Sequence, residues 1–175
     1  MSILKFVGPL VERESVPDQS LPVPVNPLVA RAALLAHRDA ALENLSWEEE
    51  TDLSLYVNFT AKKADGFVDD YVARFRFTYY PDWPPCVTFV NPSSKEYDPA
   101  FWPKIKDSDR MALHPVYADS PTGLICNSMF FEYYFWGGHS RVSGQSWEKG
   151  LHTMAATVSE LRLHLSELHY DGRQQ

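Results

Sequence analysis

Two segments between residues 52 and 80 alternate apolar and polar side chains, and this alternation constrains the fold more than any other feature of the sequence. The first segment, DLSLYVNFTAKK, places an apolar residue at every second position. The second, YVARFRFTYY, repeats the pattern after the turn residues Ala64-Asp65-Gly66. A period of two on both sides of such a turn predicts an antiparallel hairpin with one buried face. The apolar segment CVTFV, residues 86–90, follows a proline cluster and predicts a third strand, so we expect an antiparallel meander.

Helical periodicity brackets these strands. Asn26 and Pro27 are typical of a helix N-terminus, and the apolar residues after them predict a helix over residues 27–45. Ser146 precedes a second apolar stripe, which predicts a C-terminal helix. The first stripe contains Leu28, Ala32, Leu35, Leu42 and Leu45, and the second contains Trp147, Leu151, Met154, Ala155, Val158, Leu161, Leu165 and Leu168. The expected class is α+β, with an N-terminal helix, an antiparallel meander sheet, active-site loops and a C-terminal helix.

Residues 1–26 are expected to form an N-terminal arm that precedes a single domain of residues 27–170. Prolines at positions 17, 22, 24 and 27 favour an extended connector, because proline cannot donate a backbone hydrogen bond. The apolar residues near the start of the arm would pack either on this domain or on a partner. The whole chain of 175 residues has the length of one domain with a single core.

Charge and cysteine content exclude several classes of function. Lys and Arg total 16 against 23 for Asp and Glu, a net charge of -7, which argues against nucleic acid and anionic membranes as partners. Residues 1–11 are too short and too interrupted to predict a signal peptide or a membrane span. Cys86 and Cys126 lack zinc-ligand spacing and are expected to be free thiols in a cytoplasmic protein. No cofactor or metal is expected.

The densest group of chemically active residues contains His114 and Cys126, which are 12 residues apart. Residues 91–113 and 137–146, which flank this group, are expected to be irregular loops, the first with at most one short helix. Cys86 lies in an apolar strand and is expected to pack as a small hydrophobic residue. The histidines that lie on predicted helices or near a terminus are expected at the surface, namely His37, His152, His164 and His169.

The order of these motifs resembles the ubiquitin-conjugating enzymes. The sequence YYPDWPPCVTF (79–89) is followed by HPVY (114–117), by GLICN (123–127) and by a closing helical segment. In that family a strand leads through a Tyr-Pro and Pro-Pro element to a His-Pro-Asn motif and a Gly-x-Ile-Cys nucleophile. The resemblance extends from residue 27 to about residue 168. It implies the ubiquitin-conjugating (UBC-like) fold.

The resemblance also implies a mechanism centred on Cys126. This thiol would accept the C-terminus of a ubiquitin-like protein from an activating enzyme and pass it to an amine of a protein acceptor. Exchange between two thioesters is nearly balanced in energy, and the product stays reactive toward amines. A thiol with the usual pKa of about 8.5 is only about 3% thiolate at pH 7, so positioning of the carbonyl must contribute much of the rate.

Two further histidines are candidate site residues. His114 aligns with the histidine of the family motif and would either fix the turn that shapes the site or transfer a proton directly. Val116 stands where the family has asparagine, and its side chain can neither hold the loop nor stabilise an oxyanion. Substitutes with suitable hydrogen-bonding chemistry are Tyr117, Asn127 and His139, of which His139 is preferred because its glycine neighbours permit loop closure.

Other departures from the family pattern suggest a divergent bacterial member. The 29 residues from Pro85 to His114 and the segment 137–146 look like insertions on either side of the thiol. By analogy, such a member would act in a bacterial antiphage defence conjugation system. The alternatives are a catalytically inactive UBC-like module that binds or scaffolds a ubiquitin-like protein, which the missing asparagine favours, and an unrelated cysteine hydrolase. The hydrolase lacks an identifiable oxyanion hole and orienting carboxylate.

Overall fold

The computed structural model describes residues 21–106, 111–117, 120–135 and 146–174 of the chain. Its elements confirm the α+β class and the antiparallel sheet. The helices are α1 (Pro27–Ala41), α2 (Phe131–Phe135) and α3 (Met154–His164), with one 3-10 turn at Pro99–Phe101. The strands are β1 (Trp47–Thr51), β2 (Ser54–Lys62), β3 (Val68–Arg76), β4 (Cys86–Val90), β5 (Pro103–Ile105), β6 (Ala112–His114), β7 (Leu124–Cys126) and β8 (Tyr170–Arg173). The arm prediction concerns residues of which only 21–26 are described, and these extend toward α1.

The predicted meander forms the main sheet, in which β1, β2, β3 and β4 pair in that order, each antiparallel to the next. The hairpin register runs from Lys62 opposite Val68 to Ser54 opposite Arg76. Gly66 supplies the turn with φ +91°, a backbone conformation that glycine adopts at no steric cost. Burial alternates from Val57 to Lys62 of β2, as the period of two predicted, whereas residues 54–56 are buried on both faces of the strand.

The edge strand β1 is an element that the sequence did not reveal. Its sequence, WEEET, is acidic, and glutamate is depleted in strands. Neighbouring cations stabilise it, because Arg74 donates two hydrogen bonds to Glu50 at 2.6 and 2.7 Å and Lys95 Nζ lies 2.7 Å from Glu48. Charged side chains on an edge strand also discourage pairing with another sheet.

Helix α1 begins as predicted but is shorter, and most of the apolar residues that predicted it lie on its exposed side. The Asn26 side chain accepts a hydrogen bond from the Leu28 amide at 2.9 Å, and the helix ends at Ala41 rather than at residue 45. Most of the apolar stripe that predicted the helix faces outward, since Leu28 and Leu35 are exposed. The side chains that pack into the core are Ala30, Leu34 and Ala41.

The C-terminal helix starts later than predicted. Gly150, with φ +86°, interrupts the segment, and Thr153 caps α3 by accepting a hydrogen bond from the Ala155 amide at 3.3 Å. Trp147 is nevertheless buried outside any helix, whereas Leu151 is exposed. After α3 the chain forms β8, which pairs with β5. The prediction of an irregular segment over residues 91–113 was therefore wrong where β5 and β6 lie.

Candidate active site

A two-stranded hairpin carries both the histidine and the cysteine that the sequence singled out. Strands β6 and β7 pair antiparallel, with Ala112 opposite Cys126 and His114 opposite Leu124. Because side chains alternate between the faces of a strand, His114 and Cys126 lie on the same face as diagonal neighbours, a relation that separates residues by about 7 to 8 Å. His114 is exposed and Cys126 is partly exposed. The structure thus brings these two predicted residues together.

The chain between the two strands is fastened to the main sheet at both ends. The Tyr97 hydroxyl donates a hydrogen bond to the carbonyl of Pro115, which follows His114 directly. On the returning side, the Thr88 hydroxyl of β4 donates to the carbonyl of Thr122 at 2.8 Å. Residues 118 and 119 lie outside the described residues. These bonds hold the base of the hairpin against β4.

Gly123 is the glycine of the Gly-x-Ile-Cys motif, and the structure gives two reasons for it. Its φ of +76° is unfavourable for any residue with a side chain. A Cβ at this position would also lie 2.5 and 2.6 Å from ring atoms of Trp102 and 3.0 Å from the carbonyl oxygen of His114. Trp102 is fully buried and packs edge to face against Phe89 of β4. Only glycine therefore lets the hairpin approach the core this closely.

Asn127 shapes the segment that follows the thiol. Its side-chain oxygen accepts a hydrogen bond from the Met129 amide at 2.8 Å, and its carbonyl accepts one from the Phe130 amide at 3.0 Å. Its side-chain nitrogen Nδ2 donates a hydrogen bond to the carboxylate of Glu160 on α3 at 3.2 Å. The sequence predicts this side chain as one possible substitute for the asparagine of the family motif. The contacts described here join the Cys126 segment to α3.

Burial raises the pKa of the Cys126 thiol above its ordinary value, because water that would stabilise the thiolate is partly excluded. The thiol is therefore protonated at neutral pH. Tyr133 of α2 lies within electrostatic range of this thiol, and its phenol pKa is raised by burial first and then by the Cys126 charge. Tyr133 belongs to none of the sequence motifs, and a hydroxyl seven positions after the thiol is the one signal that the sequence offers for it.

Cys86 occupies a different environment, as its apolar strand indicated. It is buried at the start of β4, and burial raises the pKa of its thiol well above the ordinary value, with the Glu132 charge adding to the effect. A thiol that neither meets solvent nor ionises is unsuited to nucleophilic attack. The two cysteines are therefore chemically distinct.

The remaining candidates have mixed outcomes. The His114 ring lies 5.9 Å from that of Tyr117, so this tyrosine belongs to the same turn. Val116 is 77% exposed and presents no polar side-chain atom. His139 lies outside the described residues, so its role stays a prediction. His164 was expected at the surface, but it is 1% exposed and its Nδ1 lies 2.9 Å from the carbonyl oxygen of Glu160, because its position follows the buried face of α3.

Comparison with known proteins assigns no family to this chain. No protein-family model and no curated protein sequence matches it. Within the described ranges, histidine, cysteine and carboxylate side chains form no group of three or more that could hold a metal ion. None of the described helices is long and apolar enough to cross a membrane. The geometry around Cys126 is therefore the basis for inferring a function.

Replacement of the motif glycine tests the packing of the hairpin. Gly123→Ala should reduce the free energy of unfolding by about 1 to 3 kcal/mol more than Gly66→Ala, measured by urea denaturation. Both positions have positive φ, but a Cβ at Gly66 would meet no atom within 4 Å, so this control isolates the clash with Trp102. Equal losses in the two variants would contradict the close packing.

Alkylation rates test the two thiol environments. Iodoacetamide should modify Cys126 in the native protein, with a rate that keeps rising beyond about pH 8.5 because its thiol pKa is raised. Cys86 should react only after unfolding. Peptide mass spectrometry after timed alkylation distinguishes the sites. Modification of Cys86 before Cys126, or a rate at Cys126 that levels off below pH 8, would be inconsistent with these environments.

Proposed function

We propose that this protein is a ubiquitin-conjugating-like transferase that accepts a ubiquitin-like protein as a thioester on Cys126 and passes it to an amine. The observation that carries the proposal is the β6–β7 hairpin, which sets a partly exposed cysteine on the same face as His114. A buried cysteine in a strand, such as Cys86, would have supported packing instead.

The order of elements supports the finer fold assignment, a UBC-like fold. A helix precedes a four-stranded antiparallel meander, a His-Pro turn and the cysteine follow it, and a helix comes near the C-terminus. This order agrees with the arrangement that the motif resemblance implied. The requirement for Gly123 next to Trp102 adds a physical reason for the Gly-x-Ile-Cys spacing.

The proposed reaction has two displacement steps. The Cys126 thiolate attacks the carbonyl of a thioester on an activating enzyme, and that enzyme's thiolate leaves. A neutral amine of a protein acceptor then attacks the new thioester, the Cys126 thiolate leaves, and the amine proton passes to a base. Because the Cys126 pKa is raised, the first step depends on removal of the thiol proton and on a well-placed carbonyl.

Three groups are candidates for the tasks that asparagine performs in the family, two of them among the described residues. His114 shares the face of Cys126 and would order the turn or transfer the proton. The hydroxyl of Tyr133 is a donor on the neighbouring helix, and its proximity makes it a candidate for stabilising the oxyanion. His139 is the third, through closure of the segment 137–146.

A second candidate function is a UBC-like module that holds a ubiquitin-like protein without forming a thioester. The exposed Val116, which offers no polar atom, and the protonated state of Cys126 favour it. In either function the partners are proteins, in keeping with the net charge of -7. The proposed setting is the bacterial cytoplasm, in a conjugation system for antiphage defence.

Adduct formation tests the transferase. The chain is incubated with an activating enzyme, a ubiquitin-like protein and ATP, and the products are examined by intact mass with and without reducing agent. We expect an adduct that thiols remove, complete loss of it in Cys126→Ala, and its retention in the control Cys86→Ala. Cys126→Ser should give an adduct that resists thiols, because an oxyester replaces the thioester.

Two results of this experiment would contradict the proposal. An adduct that persists in Cys126→Ala and disappears in Cys86→Ala would make the site assignment wrong. Stable non-covalent binding of the ubiquitin-like protein, with no adduct while the activating enzyme is charged, would favour the binding module.

A further inference from the structure

A fully buried carboxyl group lies on α2, the helix that follows the Cys126 segment in the chain. Glu132 is 2% exposed and belongs to α2, whose first residue follows Cys126 by five positions. Its Oε1 accepts a hydrogen bond from the Val87 amide of β4 at 3.0 Å. Its Oε2 has no hydrogen-bond partner within the described part of the chain. A buried carboxylate with one unpartnered oxygen is costly, whereas a neutral carboxylic acid in the same place costs far less.

One cation and one weak acid, Arg76 and Cys86, interact with the Glu132 carboxyl group. Arg76, at the end of β3, pairs in register with Cys86 at the start of β4, and both lie close enough to interact with the carboxyl group. Tyr79 interacts with the same pair and stacks on Phe131 at 4.5 Å. Burial outweighs the attraction of Arg76 and raises the pKa of Glu132 to about 8. The carboxyl group is therefore protonated at neutral pH.

The contact with Val87 helps hold α2 against β4, and α2 follows the Cys126 segment in the chain. Next to it, the Phe131 amide donates to the carbonyl of Pro85 at 3.2 Å, so two hydrogen bonds fasten α2 to the start of β4. Upstream, the Phe130 amide donates to the carbonyl of Asn127. A displacement of α2 away from β4 would therefore move the residues that follow Cys126.

We propose that Glu132 is a positioning residue whose protonated carboxyl group fastens α2, and with it the Cys126 segment, to β4, so that loss of this proton loosens the segment. Ionisation leaves a charged Oε2 that meets no hydrogen-bond donor among the described residues, and burial outweighs the attraction of Arg76. Water can solvate this oxygen only if α2 separates from β4. The fastening rests on the fold alone. Its effect on catalysis rests on the proposed thioester function.

The sign of the pH dependence follows from the raised pKa. Below about pH 4.5 Glu132 is protonated in both folded and unfolded chains, and the stabilisation is complete. As pH rises toward 8 the unfolded chain releases a proton that the folded chain retains, so stability falls. The ratio of the unfolding equilibrium constants of wild type and Glu132→Gln should rise by up to about tenfold per pH unit between pH 5 and 8, and level off above.

The test combines two variants and one measurement on the unmodified chain. Glu132→Gln keeps an acceptor for Val87 and never ionises, while Glu167→Gln alters an exposed carboxylate and should leave the pH dependence unchanged. Urea unfolding from pH 5 to 9 gives the ratio. Hydrogen exchange of the Val87 amide in the wild type, corrected for intrinsic base catalysis, should lose protection with a midpoint near pH 8. This second measurement decides the matter even if Glu132→Gln does not fold.

Activity separates this inference from the proposed function. The rate at which Cys126 is loaded with a ubiquitin-like protein is measured for each variant. The ratio of the wild-type rate to the Glu132→Gln rate should fall about tenfold from pH 7 to pH 9, while Glu167→Gln follows the wild type. A constant unfolding ratio together with Val87 protection that does not change with pH overturns the fastening. A pH-dependent unfolding ratio with a constant loading ratio overturns the positioning role. Absence of loading in every variant contradicts the thioester function but leaves the exchange and unfolding results to decide the fastening.

Discussion

The contact between the Trp102 ring and Gly123 determines where the candidate site lies. Trp102 is fully buried against Phe89, so its position is fixed by the core of the main sheet. Gly123 meets this ring without a side chain and directly precedes β7. The pairing of β7 with β6 then places Cys126 beside His114. The chemistry of the site therefore depends on a packing constraint three residues before the nucleophile. Close-packed interiors transmit such constraints, because neighbouring groups have little room to shift.

The Cys126 thiol and the Glu132 carboxyl group are both poorly solvated. Burial raises the pKa of the Cys126 thiol and of the Glu132 carboxyl, so both groups carry their protons at neutral pH. A protonated thiol is protected from oxidation and from unspecific reaction. In the proposed function, the activating enzyme brings the thioester and positions its carbonyl next to the Cys126 thiol. The same enzyme completes the surroundings in which the thiol loses its proton. This division of labour fits a protein that acts only within an assembly.

The sequence predicted elements whose signals are local and failed where tertiary contacts decide. The hairpin of β2 and β3 followed from a period of two, and the start of α1 followed from Asn26 and Pro27. Strand β1 was missed because its stability comes from Arg74 and Lys95, which lie elsewhere in the sequence. The burial of His164 was mispredicted for a related reason. Periodicity indicates a helix, but the neighbours of that helix select the face that is buried.

Within the candidate site, motif order predicted that His114 and Cys126 would lie close together, and their shared hairpin brings this about. Tyr133 and Glu132 carry no motif, because their importance lies in proximity to the thiol and in burial. His139 lies outside the described residues, and its place in the mechanism stays a prediction.

Discharge of the isolated Cys126 thioester to free lysine tests the central claim most directly. The conjugate, freed from activating enzyme and ATP, is mixed with increasing lysine, and the remaining thioester and the lysine adduct are followed by intact mass. A transferase predicts a decay rate that rises with lysine concentration and with pH, because the neutral amine attacks, and a product that carries the lysine. Decay at one rate with and without lysine, giving only the hydrolysed ubiquitin-like protein, would contradict the account.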